Sequence, residues 1–358
     1  MRLESLHIQG LRCLTGIRME LDPGINVLTG PNGSGKTSVL EAAFLLSHAR
    51  SFRNGSRDAL LQRGAESLTI FAELLQNAGR RFRLGISREA SRWLARIDGE
   101  GAPMGTVVGT CAVVCFEPGS HALIAGGSEE RRRYLDWGVF HVEHTFLDVW
   151  RRYQRALKQR NQLLRSGHAE AALLEPWEFE LAQMANRIDQ QRQQYLQHLR
   201  PLLALALDSL LPELGPVELK YRRGWAEDVD LFAQYATHRG RDQARGHTTL
   251  GAHRADWSIA FENAPLREHL SRGQEKLTAL ACLLAQANLY AELCHDWPII
   301  CLDDLASELD NVHQTALVRL LMTANAQVLI TGTEVPLALR DTPSRLFHVE
   351  QGRIAALL

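Results

Sequence analysis

The sequence predicts an α/β protein, with a head assembled from both chain ends and a mainly helical arm inserted between them. Three observations carry that expectation. Gly30-Pro31-Asn32-Gly33-Ser34-Gly35-Lys36-Thr37 reads GxxxxGKT, a P-loop set between a short apolar run and a helical pattern. Far downstream, Ile299-Ile300-Cys301-Leu302-Asp303-Asp304 is an apolar strand ending in two carboxylates. From about Ser128 to Leu214 the apolar residues recur with helical period and strand signals are few. The expected division is 1–117 and 248–358 for the head, and 118–247 for the arm.

Leu3 to Gly10 alternates as a strand, Ile17 to Leu21 gives a second, and Asp22-Pro23-Gly24 turns the chain. Ile25 to Thr29 is a short apolar strand running into the P-loop. Thr37 to Ala49 reads as a helix, with Val39, Leu40, Ala43, Phe44 and Leu46 apolar. Thr69 to Gln76 and Arg81 to Arg88 form a hairpin about Asn77-Ala78-Gly79. In the arm, Leu173-Leu174-Glu175-Pro176 is expected to separate two long helices; Pro201 starts or bends another, and Pro212 ends it. Val217 to Arg222 returns to strand character, and Gln327 to Thr331 is the last strand. There is no internal repeat, and heptads are too short for an extended coiled coil.

The P-loop residues Gly30 to Thr37, with Ser38, are the expected ATP cradle. Glycines let backbone N–H groups turn toward phosphates, and the following helix points its positive end at them. Lys36 supplies a point charge to the β- and γ-phosphates, while Thr37 and Asp303 are the expected Mg²⁺ ligands. The P-loop and carboxylate strand together resemble those of ABC-type ATPases, and that resemblance implies that Asp304 orients the attacking water, which makes Lys36, Asp303 and Asp304 the catalytic candidates. The plainer reading of Asp303-Asp304 is a pair of carboxylates capping the next turn.

Ser271-Arg272-Gly273-Gln274-Glu275-Lys276 resembles the signature segment of ABC-type ATPases. It opens a helix carrying Glu275, Leu277, Leu280 and Leu284, and a Ser271–Gln274 capping box explains the same residues structurally. The resemblance implies an ABC-type P-loop ATPase head in which Ser271, Gly273 and Gln274 complete the phosphate site of a second protomer. ATP would then drive homodimerisation. Such ATPases usually carry Glu where Asp304 stands, and His soon after the carboxylate strand, where this chain has Leu329-Ile330-Thr331-Gly332-Thr333. Asp is one methylene shorter and Thr cannot become a cation near neutral pH, so slow, switch-like hydrolysis is expected. The glutamine usual at the junction of head and arm has only Glu117 as a weak counterpart.

Further segments narrow the resemblance. They include Arg50-Ser51-Phe52-Arg53, Phe116-Glu117-Pro118, Glu130-Arg131-Arg132-Arg133-Tyr134-Leu135-Asp136 and Tyr153-Gln154-Arg155-Ala156-Leu157-Lys158-Gln159-Arg160-Asn161. Arg245-Gly246-His247, Gly251-Ala252-His253-Arg254-Ala255-Asp256 and Ser307-Glu308-Leu309-Asp310 complete the set. With the motifs above, over nearly the whole length, the chain resembles the RecF family of bacterial recombination mediators. Ala252 and Ala255 depart from that family's usual Pro and acidic residue. The resemblance implies an SMC-related head without long coiled coils, an ATP-dependent homodimer, and binding to double-stranded and gapped DNA. It also implies work with RecO and RecR to place RecA on single strands, in DNA repair, replication and recombination. Arg12 is carried over as a basic residue near the nucleotide.

The residues give a separate argument for DNA. Between Trp150 and Arg165 six residues are basic and none is acidic. On a helix, Arg151, Arg155, Lys158 and Arg165 share one face, and Trp150, Tyr153, Leu157 and Leu164 another. The net charge is only −1, so any basic surface is local. The stripe fits phosphate contacts or a merely solvated face, and no base-reading motif accompanies it. His253 lies in a polar loop, where a structural role and a DNA or partner contact are both open.

Composition sets the outer bounds. With 45% hydrophobic and 23% charged residues the chain has ordinary globular composition, which argues against disorder. No apolar run approaches a membrane span and the N-terminus lacks a signal peptide's apolar core, so a cytoplasmic protein with no membrane partner is expected. The six cysteines make no CxxC pair and are expected to be buried, reduced thiols. The alternative function is an ABC-type ATPase subunit coupled to another partner, such as a transporter. A clamp with structural ATP and a P-loop kinase are weaker rivals, and a kinase would have no use for Ser271.

Overall fold

The computed structural model describes residues 1–53, 57–89, 92–166 and 170–357. It divides into two compact units, one of residues 1–121 with 272–358, the other of residues 122–271. In chain order the first stretch supplies β1 (Arg2–Leu11), β2 (Leu14–Glu20), β3 (Ile25–Thr29), α1 (Lys36–His48), β4 (Ser67–Leu75), β5 (Arg81–Glu89), β6 (Arg92–Ile97), β7 (Glu100–Gly101), α2 (Met104–Thr110) and β8 (Val113–Phe116). The middle stretch supplies α3 (Ala122–Ala125), α4 (Ser128–Val142), α5 (Phe146–Arg165), α6 (Ala171–Leu210), β9 (Val217–Arg222), α7 (Leu231–Arg245) and β10 (Asp256–Phe261). The last supplies α8 (Arg272–Cys294), β11 (Ile299–Leu302), α9 (Leu305–Glu308), α10 (Asn311–Ala324), β12 (Val328–Gly332), β13 (Ser344–Glu350) and β14 (Arg353–Leu357).

The unit made from both chain ends holds two six-stranded sheets. One is antiparallel, in the order β2-β1-β4-β5-β6-β7; the other runs β14-β13-β3-β12-β11-β8 and is parallel except at β14. The two patterns follow from burial. β4 alternates buried and accessible residues, as a sheet with one wet face does. β8, β11 and β12 are buried at every position, the continuous apolar run of a parallel strand covered on both faces. α1 touches β1 and β5 of the first sheet and β8 and β12 of the second. It is therefore buried almost all round, from Ser38 to Ser47, without a polar face. Its one acidic residue, Glu41, is fully buried and ion-paired to Arg12 through Nη2 at 2.7 Å, with a further hydrogen bond from Ser51.

Four expectations change. The strand at Gln327 to Thr331 is not the last, since β13 and β14 follow it and β13 pairs with β3. The second unit extends to Ser271 rather than ending at residue 247, because β10 pairs antiparallel with β9 along its whole length. Leu173 to Pro176 does not separate helices: α5 ends at Arg165, and α6 runs unbroken through Pro176 and Pro201. An interior proline costs about 3 kcal/mol. Here the buried stripe of Leu181, Ile188, Leu196, Leu203 and Leu207 continues across Pro201, and burying each leucine or isoleucine returns roughly 1.5–3 kcal/mol. Finally, α8 is long and apolar enough to cross a membrane by length and composition alone. It serves instead as a core helix, with Leu277 to Cys282 and Ala285 to Ala287 buried and a contact to β8.

Candidate functional site

In the unit formed by both ends, the P-loop from Asn32 to Ser38 walls a cavity of about 290 Å³. Arg12 and Cys13 from the β1–β2 turn, Arg53, Pro118, the pair Asp303-Asp304, and Thr331 at the end of β12 close the rest. The loop bridges β3 to α1, and its glycines are required by neighbours as well as by phosphate access. At Gly30, φ is 149° and a Cβ would lie 2.1 Å from the Val349 carbonyl oxygen. At Gly35, φ is 115° and a Cβ would lie 2.7 Å from Leu14 Cδ2. The turn after β13 also braces the loop, the Gly352 N–H donating to the Ser34 carbonyl at 2.9 Å.

Lys36 is buried, and its Nζ donates to the Gly30 and Pro31 carbonyls at 2.7 and 2.8 Å. Burial lowers its pKa, and the Asp304 and Asp303 carboxylates pull in the opposite direction. Asp303 extends the parallel ladder past β11, its N–H donating to the Phe116 carbonyl at 2.8 Å. Its Oδ1 accepts from the Thr37 hydroxyl at 2.8 Å and from the Thr331 hydroxyl at 2.6 Å. Burial raises the Asp303 pKa; the two threonine hydrogen bonds, and then Arg53, oppose that rise. The Asp304 N–H donates to Thr331 Oγ1 at 2.9 Å. Asp304 itself takes a left-handed conformation, φ 52°, which an Asp tolerates better than most residues. One hydroxyl, Thr331, thus ties the carboxylate pair together at the edge of the parallel sheet. The site joins hydrogen-bond donors, a lysine and two carboxylates around one polar cavity, an arrangement suited to a nucleoside triphosphate.

Most of the expected residues meet here. Arg12, Asn32 to Ser38, Asp303 and Asp304 line the cavity, while Gly30 and Pro31 bind Lys36 through their carbonyls. Arg12 is held by Glu41 and by the Ala59 carbonyl at 2.6 Å. Ser271 and Gly273 are exposed and Gln274 is half-buried at the start of α8; they do not line this cavity. Four lining residues, Cys13, Arg53, Pro118 and Thr331, are not among the expected site residues. Cys13 is exposed at the rim, contrary to the expectation that every thiol is buried, because it sits on the tight β1–β2 turn. Arg53 and Pro118 enter the sequence reading only through the family resemblance, and Thr331 only as the residue standing where a histidine is usual. Glu117 does not line the cavity; its Oε2 accepts from the Gly119 N–H at 2.6 Å and burial raises its pKa.

The basic stripe lies in the other unit. Arg151, Arg155, Lys158 and Arg165 are all exposed on α5. Trp150, expected on the apolar face, is 36% exposed, since it falls at the border of that face. Arg160, between them in sequence, is fully buried and paired with Glu178 at 3.0 Å and Asp242 at 2.6 Å. His253 is half-buried and lines a cavity of the arm unit. Its Nε2 lies 3.1 Å from the Thr248 carbonyl, which can only accept, so Nε2 carries the proton and Nδ1 accepts from the Tyr153 hydroxyl at 2.6 Å. Burial lowers its pKa to about 4, leaving it neutral at physiological pH.

Comparison with known proteins places these features. Residues 2–355 match the family model of the RecF/RecN/SMC N terminal domain. The DNA replication and repair protein RecF of Stenotrophomonas maltophilia is 46% identical over 364 aligned positions, which cover 100% of each chain. Its counterpart from Pseudomonas aeruginosa is 40% identical, over 99% of this chain and 98% of its own. Among solved structures, the recombination mediator protein RecF with ATP superposes with a TM-score of 0.91 at 24% identity, covering 99% of this chain and 97% of that one. An SMC head bound to the C-winged helix domain of ScpA gives 0.60 at 14% identity, over 100% and 98%. These two structural likenesses establish the fold, the mixed α/β ATPase head expected from the sequence.

Proposed function

The chain belongs to the RecF family of DNA replication and repair proteins, and from that membership we propose that it is an ATP-switched DNA clamp of recombinational repair. In this reading ATP closes two protomers, each P-loop facing the Ser271-Gly273-Gln274 segment of the other. The closed dimer holds double-stranded DNA near single-strand gaps, slow hydrolysis resets it, and RecO and RecR act beside it to promote RecA loading in the cytoplasm. The observation that carries the reading is the joint anchoring of Asp303 by Thr37 and Thr331, beside Lys36.

Thr37 and Asp303 would hold Mg²⁺. Their oxygens lie 2.8 Å apart, and a hydroxyl with a carboxylate is the hard-donor set this ion takes. The ion, when bound, would supply charge neutralisation at the phosphates. Lys36 can swing from the Gly30 and Pro31 carbonyls to a phosphate, exchanging two neutral acceptors for a charged one. Asp304 would orient the attacking water from a backbone fixed by Thr331.

The test is fluorescence anisotropy on a gapped duplex, with ATP and with ADP, across a salt series. Binding that needs ATP and weakens steeply with salt supports the clamp. Equal or absent binding with both nucleotides overturns it and favours an ATPase coupled to another partner. Lys36→Ala should reduce phosphate release on the order of 100-fold, and release unchanged from wild type would reject a catalytic nucleotide site.

A further inference from the structure

Glu41 is a carboxylate on an otherwise apolar stretch of α1. It lies one turn beyond Thr37, on the same face of the helix, and none of its side chain is exposed. Its neighbours Val39, Leu40, Ala42 and Ala43 are all buried. A buried ion pair is weak support for stability, because apolar residues of similar size often serve as well. The placement of Glu41 therefore asks for a reason beyond folding, and its partners supply one.

Arg12 meets Glu41 through two hydrogen bonds, Nε to Oε2 at 3.0 Å and Nη2 to Oε1 at 2.7 Å. Its Nη1 donates to the Ala59 carbonyl at 2.6 Å, and its backbone N–H to the Leu60 carbonyl at 2.8 Å. The backbone of Arg12 is left-handed, φ 55°, a conformation uncommon outside glycine. Such strain persists only where the surroundings over-determine it, and it gathers at functional sites. A guanidinium has five N–H groups. Three are used here among the described residues, so two remain on a side chain that lines the nucleotide cavity. Ser51 also donates its hydroxyl to Glu41, whereas Arg53 comes only to 3.9 Å, beyond hydrogen-bond reach. Arg12 is thus the partner that Glu41 fixes.

We propose that Glu41 is a positioning residue for the nucleotide: it sets the Arg12 guanidinium in the cavity wall before ATP arrives, with two N–H groups left to donate to a phosphate oxygen. An arginine held this way offers donors already oriented, and little side-chain freedom remains to be lost on binding. The inference rests on the reading of the cavity as an ATP site, but it needs neither a dimer nor DNA.

The experiment measures ATP affinity by isothermal titration calorimetry on the full-length protein, in a double-mutant cycle of Glu41→Gln and Arg12→Gln. Glutamine keeps the size of Glu41 and removes its charge and one acceptor oxygen. Each single variant should weaken ATP about tenfold, the loss of roughly one charge-assisted hydrogen bond. The double variant should be no weaker than Arg12→Gln alone. An affinity in Glu41→Gln equal to that of wild type overturns the proposal. So does a double variant weakened about a hundredfold, the product of the singles, because Glu41 would then act apart from Arg12. Should Glu41→Gln misfold by circular dichroism, the double variant, which removes both charges, carries the comparison with Arg12→Gln. If wild type binds no ATP, the nucleotide reading falls and this inference with it. If wild type binds ATP and the cycle shows no coupling, this inference alone falls.

Discussion

In the nucleotide site the motif's charged side chains, Lys36, Asp303 and Asp304, gather at one cavity, whereas the basic residues of α5 go three ways. Arg160 enters the core, where Glu178 and Asp242, both fully buried, neutralise it and its guanidinium lies 4.9 Å from the Tyr235 ring centre. Arg152 turns to Glu180 at 2.7 Å. Arg151, Arg155, Lys158 and Arg165 stay on the surface. The difference is one of range. A P-loop places its lysine by the backbone of its own eight residues, so sequence spacing fixes the chemistry. An arginine on a helix is placed by whichever carboxylate another segment brings to it, and α7 brings Asp242 from far along the chain.

The largest expected effect breaks the arm's side of this comparison. Glu178 accepts from both Arg160 and Arg239, so Glu178→Ala leaves a buried guanidinium with a single carboxylate. Removing one partner of a buried pair costs about 3–5 kcal/mol, which urea unfolding would register as a large fall in midpoint. A loss below about 1 kcal/mol would mean the cluster behaves as a surface pair.

Thr331→Val probes the head at a residue no motif names. The substitution keeps the shape but strips one donor from Asp303 and leaves the Asp304 N–H without its acceptor. Lost hydrogen bonds of this kind cost about 1–3 kcal/mol. Phosphate release should fall about tenfold with the fold intact, by the conversion of 1.4 kcal/mol per decade. Unchanged turnover would mean the carboxylate pair holds its geometry without Thr331.

The smallest effect is expected at Lys158. Lys158→Gln should leave stability within about 0.5 kcal/mol, while the slope of log affinity against log salt on DNA drops by about 1. A slope equal to that of wild type would remove Lys158 from the contact surface and leave its face of α5 merely solvated.

Local chemistry made part of the molecule readable. β3, the P-loop and α1 are a strand, a glycine turn and a helix with no long-range choice to make. The buried strand β11 announces itself by four consecutive apolar residues before Asp303. Other features had no such signature. β8 is only four residues, Val113 to Phe116, and becomes a strand because β11 offers it a parallel edge. The prolines of α6 read as breaks, since a sequence window carries their backbone penalty but not the burial on either side. His253 reads as a loop residue, because Tyr153, which closes over it, lies a hundred positions earlier.

By itself, then, the sequence determined the P-loop between β3 and α1, the paired carboxylates after β11, the ATPase-head architecture and the family, because each is carried by residues adjacent in the chain or by extended identity. Only the tertiary structure decided that Thr331 ties Asp303 to Asp304, that Arg160 is core while Lys158 is surface, and that Glu41 pairs with Arg12. The physical reason is common to all three. A side chain's burial and hydrogen-bond partners depend on segments far away in sequence, and the energy that fixes them appears only when those segments meet.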